Sequence, residues 1–278
     1  MSRAAGTLSA DLRDTIFASL GGQRFRAEIR LTTPGLVCGV DLARAKVEAL
    51  GCEVLGFLGD GETAMAGQAV LALRGSAKAL AMAEDCVPGA IAKPSGIARA
   101  ARQARELAAG RVRVVSGAAK KMPEEVKSQI RHAIHCGGGC GCIADGPFVY
   151  LDKNYVRMFG GVRATLAAMA DMKGYARVIQ LRGQIEPMAV EALGAIELGA
   201  EILMVDTGFL DDLDLVSALV RERGRREATT LAFAGDIELA DIPAIADHDV
   251  DILDIGRAVL DAPSVDIKFD VTGPAGEA

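Results

Sequence analysis

The stretch ARVIQLRGQIEPMAVEALGAIELGAEILMVD, residues 176–206, holds one folding unit from end to end. ARVIQLR and EILMVD are short apolar runs bounded by turn residues, the pattern of buried strands. PMAVEALGAIELG, between them, has the apolar spacing of a helix. Strand, helix and strand in that order imply parallel pairing through a right-handed crossover.

The alternation extends to both sides. From Arg111 onward, strands are expected at RVRVVSG, FVYLD, ARVIQLR, EILMVD, TTLAFAG and VDILDIG, with helices such as LDLVSALVRERG between them. Six such units form either a closed barrel or an open sheet. Nearly every strand ends in a chemically capable residue: Ser116, Lys153, Arg182, Asp206, Asp236 and Arg257. A barrel gathers these ends at one mouth, where barrel enzymes keep their chemistry; an open sheet spreads them along an edge. The barrel is the expectation.

Upstream, residues 1–110 read as a mixed α/β domain. DLRDTIFASL is a short amphipathic helix and RFRAEIRLT alternates like a half-buried strand. DLARAKVEAL is helical with Asp41 placed to cap it, and CEVLGFL and QAVLALRG are further strands. An Ala-rich stretch from Ser76 to Ala109 is expected to break near Pro88 and Pro94, which interrupt the helical hydrogen-bond ladder. Residues 111–264 form the barrel domain. The tail, 265–278, contains SVDIKFDVTG, an extra strand expected to return to the first domain.

Half of the 278 residues are hydrophobic, yet Trp is absent and aromatics make up 4%, so the core must be built from Ala, Val, Leu and Ile. That suits a parallel sheet covered by helices. A net charge of −6 argues against a general nucleic-acid or membrane-surface binder. MSRAAGTLSADLRDTIF has no apolar run suited to a signal peptide, and no segment is long enough to span a bilayer, so a cytoplasmic protein is expected. There, six cysteines are normally reduced thiols, and clustered ones point to metal or redox chemistry before disulfides. The cluster is HCGGGCGCIADG, His135–Gly146.

Several pieces in order resemble the quinolinate phosphoribosyltransferases, also called carboxylating nicotinate-nucleotide pyrophosphorylases. GLVCGVDLA, DGETAMAGQAVLALRGSAKAL and PSGIA are similar to landmarks of that family's first domain. KKMPEEVKSQIRHAIHCGGG, AIELGAEILMVD and DVDILDIGRAVLDAPSVDIKFDV are similar to landmarks of its second. The resemblance implies an N-terminal α/β sandwich and a C-terminal incomplete α/β barrel of six to seven strands. It implies a head-to-tail homodimer in which one subunit's sandwich closes the other's barrel mouth, giving a composite active site. Family members join quinolinate to phosphoribosyl pyrophosphate with magnesium, releasing pyrophosphate and carbon dioxide.

Carried over residue by residue, the resemblance gives a divergent site. Where the family has Glu-Arg before SGIA, this chain has Glu84-Asp85; where it has Thr-Arg-Lys-Thr after the first barrel strand, this chain has Ala118-Ala119-Lys120-Lys121. The family's His-Arg after the glycine run is met by Cys142-Ile143, and its Lys-Asp-Asn-His by DKNY, with Lys153 and Asn154. The family's acidic strand is here VIQLRG, with Gln180 and Arg182. Asp206 keeps the acid ending the fourth strand, FAGDI keeps Gly235 with Asp236 beside it, and DIGRA keeps Gly256 with Arg257 added. Glycine turns at the last two strands form a natural phosphate cradle. The resemblance thus implies catalytic roles for Lys120, Lys153 and Asp206. Lys121, Asn154, Arg182, Gly235, Asp236, Gly256 and Arg257 would contact substrate or phosphate, and Mg2+ would serve as cofactor. With Asp85 and Ala119 where arginines would stand, the (hetero)aromatic acceptor is expected to be less anionic than quinolinate.

For each candidate a plainer role stands beside the functional one. Asp206 could cap the DTGF turn, Arg182 and Arg257 could pair with Asp206 or Asp236, and Glu84 and Asp85 could mark a helix surface. For His135–Gly146 the plain reading is a glycine-rich corner. The alternative is a thiolate site for zinc or an iron–sulfur cluster at Cys136, Cys140 and Cys142, with His132 and His135 near. That alternative would make the chain a repurposed binding protein, and a third possibility is an inactive partner subunit.

Overall fold

The computed structural model describes residues 11–276; the leading ten residues, part of the stretch read for a signal peptide, lie outside it. The chain divides into two compact units at Gly96–Ile97 and at Ala262–Pro263.

The first unit opens with α1 (Leu12–Ile16), β1 (Arg24–Leu31), β2 (Gly35–Leu36) and α2 (Val40–Ala49). It continues with β3 (Glu53–Phe57), β4 (Thr63–Ala64), β5 (Ala69–Ser76), α3 (Ala77–Cys86) and the start of α4 (Pro88–Ala108). β1 alternates as expected: Ala27, Ile29 and Leu31 are fully buried while the residues between them are part-exposed. They pack with Leu71, Leu73, Leu80 and Ile91 into one core.

Two local expectations are corrected here. The residue capping α2 is Gly39, in the left-handed region at φ 89°, and the first helical N–H, on Val40, donates to Asp60 Oδ1 at 2.7 Å. Asp41 sits within the first turn, paired with Arg44. A carboxylate from a loop distant in sequence therefore does the work that local propensity assigned to Asp41. Pro94 lies inside α4 and does not end it. Having no N–H, it leaves the Ala90 carbonyl without its helical donor. Gly39 packs against that oxygen so closely that a Cβ there would lie 1.9 Å from it. Because Val87, Ala90 and Ile91 belong to the first core, the unit boundary falls within α4 rather than at residue 110.

The second unit takes the rest of α4, then β6 (Arg113–Val115), α5 (Glu124–Cys136), β7 (Phe148–Leu151), α6 (Lys153–Phe159), α7 (Val162–Ala168) and β8 (Ala176–Leu181). It closes with α8 (Met188–Glu197), β9 (Ile202–Asp206), α9 (Leu210–Glu222), β10 (Thr230–Ala234), α10 (Ile242–Ile245), β11 (Ile252–Asp254) and α11 (Arg257–Leu260). The chain then returns to the first unit as β12 (Ile267–Pro274), which pairs antiparallel with β1. The first sheet is ordered β12-β1-β5-β3 and the second, all parallel, β6-β11-β10-β9-β8-β7.

β6 and β7 are the two edges of that second sheet, five strand spacings apart, about 24 Å if it were flat. Yet one cluster holds Val115 of β6, Val178 of β8, Met204 of β9, Ala232 of β10 and Ile252 of β11, with Phe148 and Tyr150 of β7 packed against it. Opposite edges can share a core only if the sheet curls. Cys140 adds a single parallel bridge to Val115 on the open edge of β6, its N–H donating to Val114 O at 3.2 Å while its carbonyl accepts from Ser116 N at 2.9 Å. The result is a curled, all-parallel sheet of six strands.

Candidate active site

The C-terminal ends of all six parallel strands line one cavity of about 680 Å3 in the second unit. After β6 the chain tightens into a short 3-10 turn, Ala118–Lys121, which presents Lys120 and Lys121. Lys120 Nζ lies 5.8 Å from the centre of the Tyr150 ring, the aromatic face in the cavity wall. After β7, Asp152 caps α6 by accepting from Asn154 N and Tyr155 N, and Lys153 opens the helix at the rim.

On β8 the buried Gln180 joins three strands. Its Oε1 accepts from Lys153 N at 2.6 Å, and its Nε2 donates to Asp206 Oδ2 at the end of β9. Arg182 pairs with the same Oδ2 at 3.3 Å. Arg182 is itself fixed from below by the buried Glu191 of α8, whose Oε2 accepts from Arg182 N and Gly183 N, both at 2.9 Å.

After β10, Gly235 (φ 121°) comes so near Gly208 that a Cβ would lie 2.3 Å from the Gly208 nitrogen. Asp236 follows in the left-handed region at φ 49°, rare for a residue with a side chain. After β11, Asp254 Oδ1 accepts from Gly117 N at 3.0 Å, tying the ends of β11 and β6 together. Burial holds the Asp254 carboxyl above the usual carboxylate range, against the pull of the Gly117 N–H and of Lys120 and Lys121; the charge on Asp206 adds to the rise. Burial likewise raises the Tyr150 phenol, helped by Asp254 and Asp206. Gly256 and Arg257 complete the rim, with Arg257 3.3 Å from Glu238.

Of the residues singled out in the sequence, Lys120, Lys121, Lys153, Arg182, Asp206, Gly235, Asp236, Gly256 and Arg257 all face this cavity. Asn154 does not line it, and Ser116 is buried with its hydroxyl unpartnered among the described residues. The plainer role foreseen for Arg182, an ion pair with Asp206, is present within the site. Asp254 was passed over, although it carries the same signal as Asp206: a carboxylate closing an apolar strand. Tyr150 and Asp152 were also missed, and no spacing in the sequence marks them.

The glycines of His135–Gly146 serve packing. A Cβ at Gly137 would lie 2.3 Å from the Ala98 carbonyl and 2.7 Å from Ala101 Cβ, and one at Gly138 would lie 2.7 Å from Arg105 Nη1. The run lets the end of α5 press against α4. Cys136 Sγ lies 3.4 Å from His132 Nε2, Cys140 is held in the bridge to β6, and Cys142 is exposed. Among the described residues, Cys140 and Cys142 join no set of three or more convergent ligand atoms.

The quinolinate phosphoribosyl transferase C-terminal domain family matches residues 97–270, and its N-terminal domain family matches residues 14–95. A probable carboxylating nicotinate-nucleotide pyrophosphorylase of Methanothermobacter thermautotrophicus is 23% identical over 265 residues, 91% of this chain and 90% of that protein. The human nicotinate-nucleotide pyrophosphorylase is 26% identical over 248 residues, 88% of this chain and 81% of the human one. Among solved structures, the nicotinate-nucleotide pyrophosphorylase of Pyrococcus furiosus superposes with a TM-score of 0.80 at 19% identity, covering 100% of this chain and 80% of that one. The Francisella tularensis protein gives 0.77 at 20% identity, covering 95% and 91%. With both of its domains matched, the chain belongs to the quinolinate phosphoribosyl transferase family.

Proposed function

We propose that this protein is a phosphoribosyltransferase of the nicotinate-nucleotide pyrophosphorylase type, moving the phosphoribosyl group of phosphoribosyl pyrophosphate to a small heteroaromatic acceptor other than quinolinate. The observation that carries the reading is the composition of one cavity. Three lysines and two glycine turns stand where a phosphorylated sugar needs cations and backbone N–H groups. Lys120, Lys121 and Lys153 would neutralise phosphate and pyrophosphate, and the turns at Gly235 and Gly256 would cradle the 5′-phosphate. As the bond to pyrophosphate breaks, positive charge develops at the sugar carbon, and Asp206 supplies fixed negative charge for it.

The acceptor follows from the other half of the lining. Asp152, Asp206, Asp236 and Asp254 share the cavity with the five cations, and Arg182 is already paired with Asp206. A dicarboxylate ring would meet these acids with too few free cations, at the cost of desolvating unpaired charge. Magnesium would enter with the pyrophosphate; its preference for a few carboxylate oxygens and several waters fits Asp206 and Asp236.

A second copy of the chain is part of this reading. Tyr155, Met158 and Phe159 on α6 and Phe209 after β9 are exposed near the strand ends that form the mouth, and a partner would cover them. Sedimentation of a monomer at micromolar concentration would remove this element.

Calorimetric titration with phosphoribosyl pyrophosphate and Mg2+ tests the core claim. Saturable binding is expected, weakened about tenfold by Lys120→Ala or Lys153→Ala, the scale of one charge-assisted hydrogen bond. No heat at about millimolar ligand, a concentration matching only a few kcal/mol of affinity, would overturn it.

A further inference from the structure

Within this reading one carboxylate oxygen has no assigned partner. Asp254 has Oδ1 on the Gly117 N–H, while Oδ2 accepts no hydrogen bond among the described residues. The group lies in the cavity wall. Facing the open cavity, Oδ2 is free to take its donors from water. A ligand that fills the cavity displaces that water, and an acceptor then left without a donor is costly, so the ligand must bring one. A quinolinate ring offers none: its ring nitrogen carries only a lone pair, and its carboxylates would repel Asp254.

Resting on the function proposed above, we propose that the acceptor is an uncharged azole-type ring, and that Asp254 Oδ2 receives its N–H and takes that proton during transfer. The bookkeeping is complete without a further reagent. The lone pair on the ring's unprotonated nitrogen forms the bond to the sugar carbon. The bond from that carbon to the pyrophosphate oxygen breaks, and its electron pair leaves with pyrophosphate. The proton on the other ring nitrogen passes to Asp254 Oδ2, and the N–H pair returns to the ring, leaving a neutral ribosyl azole.

The surroundings suit the role. Burial makes Asp254 a stronger base than an exposed aspartate, which suits proton abstraction. The groups that set its ionisation are Lys120 and Lys121 from the turn after β6 and Asp206 from β9, with Tyr150, Asp236 and Arg257 lining the same cavity. The Tyr150 ring offers a face on which a flat heterocycle can stack.

The test incubates the full-length protein with phosphoribosyl pyrophosphate and Mg2+ and offers imidazole, benzimidazole, adenine and quinolinate in turn. Phosphorus NMR follows pyrophosphate release and chromatography follows the ribotide. At least one azole should be converted at least about tenfold faster than quinolinate, and Asp254→Asn should lower its kcat by about 100-fold, the scale of a general base. Calorimetric affinity for phosphoribosyl pyrophosphate should stay within about threefold, which separates loss of the base from loss of the donor site. The acid limb of kcat/KM for the azole, lying above the usual aspartate range in the native protein, should vanish in the variant. The proposal falls if no azole reacts while phosphoribosyl pyrophosphate binds, if quinolinate is the better acceptor, or if Asp254→Asn matches the native rate. It also falls if the variant only raises the Mg2+ requirement, because Asp254 would then hold the cation. Failure to bind phosphoribosyl pyrophosphate at all would remove the underlying function and this proposal with it.

Discussion

An acid whose pKa is raised by folding makes a folded chain less stable as pH climbs. Between the ordinary aspartate value and its own higher one, Asp254 in the native state holds a proton that the unfolded chain has released. Stability from this group therefore falls as pH rises through that interval. Asp254→Asn should raise thermal stability at neutral pH by on the order of 1 kcal/mol, the usual gain from relieving a functional site. The gap should close below about pH 4, where both states of the native chain are protonated. Thermal scans of both proteins from pH 3 to 8 measure it, and a variant less stable than the parent at pH 7 would contradict it. Asp206 and Asp254 each close an apolar strand, so the sequence carries the same local signal for both, whereas the DIGRA landmark singles out only Gly256 and Arg257. Asp152 was hidden differently: its function as a cap on α6 depends on a helix starting at Lys153, which no local pattern fixes.

The elements that hold the site are set by close contacts between helices and loops. Gly137 has an ordinary helical backbone (φ −73°), so an alanine there would be unstrained in itself; the obstacle is α4, with Ala98 O 2.3 Å from the new Cβ. Gly137→Ala should cost about 1–3 kcal/mol, as overpacking does. Denaturant unfolding checks this, and a loss under about 0.5 kcal/mol, the size of a neutral surface change, would mean α5 can shift freely. Glu191 of α8 holds two backbone N–H groups at the start of the loop that carries Arg182. Glu191→Ala should cost about 2 kcal/mol by stranding those donors. Glu191→Gln, which keeps an accepting oxygen, should restore most of it; equal losses in the two variants would show that charge rather than the hydrogen bond matters. The strands themselves were legible because six apolar runs with polar ends have few alternative readings. The course of α4 was not. Pro94 is a helix breaker by local chemistry, and only Gly39, far away in sequence, leaves room for the carbonyl it exposes. The cap of α2 was misread for the same reason, since its acceptor comes from Asp60.

For the molecule as a whole, acid weakens the fold through one cluster at the starts of β10 and β11. Burial would raise Asp249, but hydrogen bonds from Arg221, Ser217 and Arg226 outweigh it and hold the carboxyl far below its usual range. Arg226 also reaches Asp251 Oδ1 at 2.8 Å, and Asp251 Oδ2 accepts from Leu231 N, so the cluster joins α9 to the starts of β10 and β11. A depressed folded-state pKa gives stability that is complete above about pH 4 and drains away as pH falls toward the lowered value. Asp249→Asn should cost about 2 kcal/mol at pH 7. Its deficit against the native protein should shrink steadily in equilibrium unfolding below pH 4; a deficit independent of pH would exclude the ionic explanation. None of the participants could be paired from sequence, because Ser217, Arg226 and Asp249 meet only once the parallel sheet has formed.

The return of β12 to β1 sets an order on biosynthesis. A ribosome delivers β1 early, but the strand that covers its outer edge emerges only after every residue of the parallel sheet has been made. The second unit is continuous and can collapse while translation proceeds, whereas the first waits with an open β-edge exposed to other nascent chains. Stalling just before Ile267 should therefore leave a protease-resistant fragment spanning the parallel sheet, attached to an amino-terminal segment that digests readily.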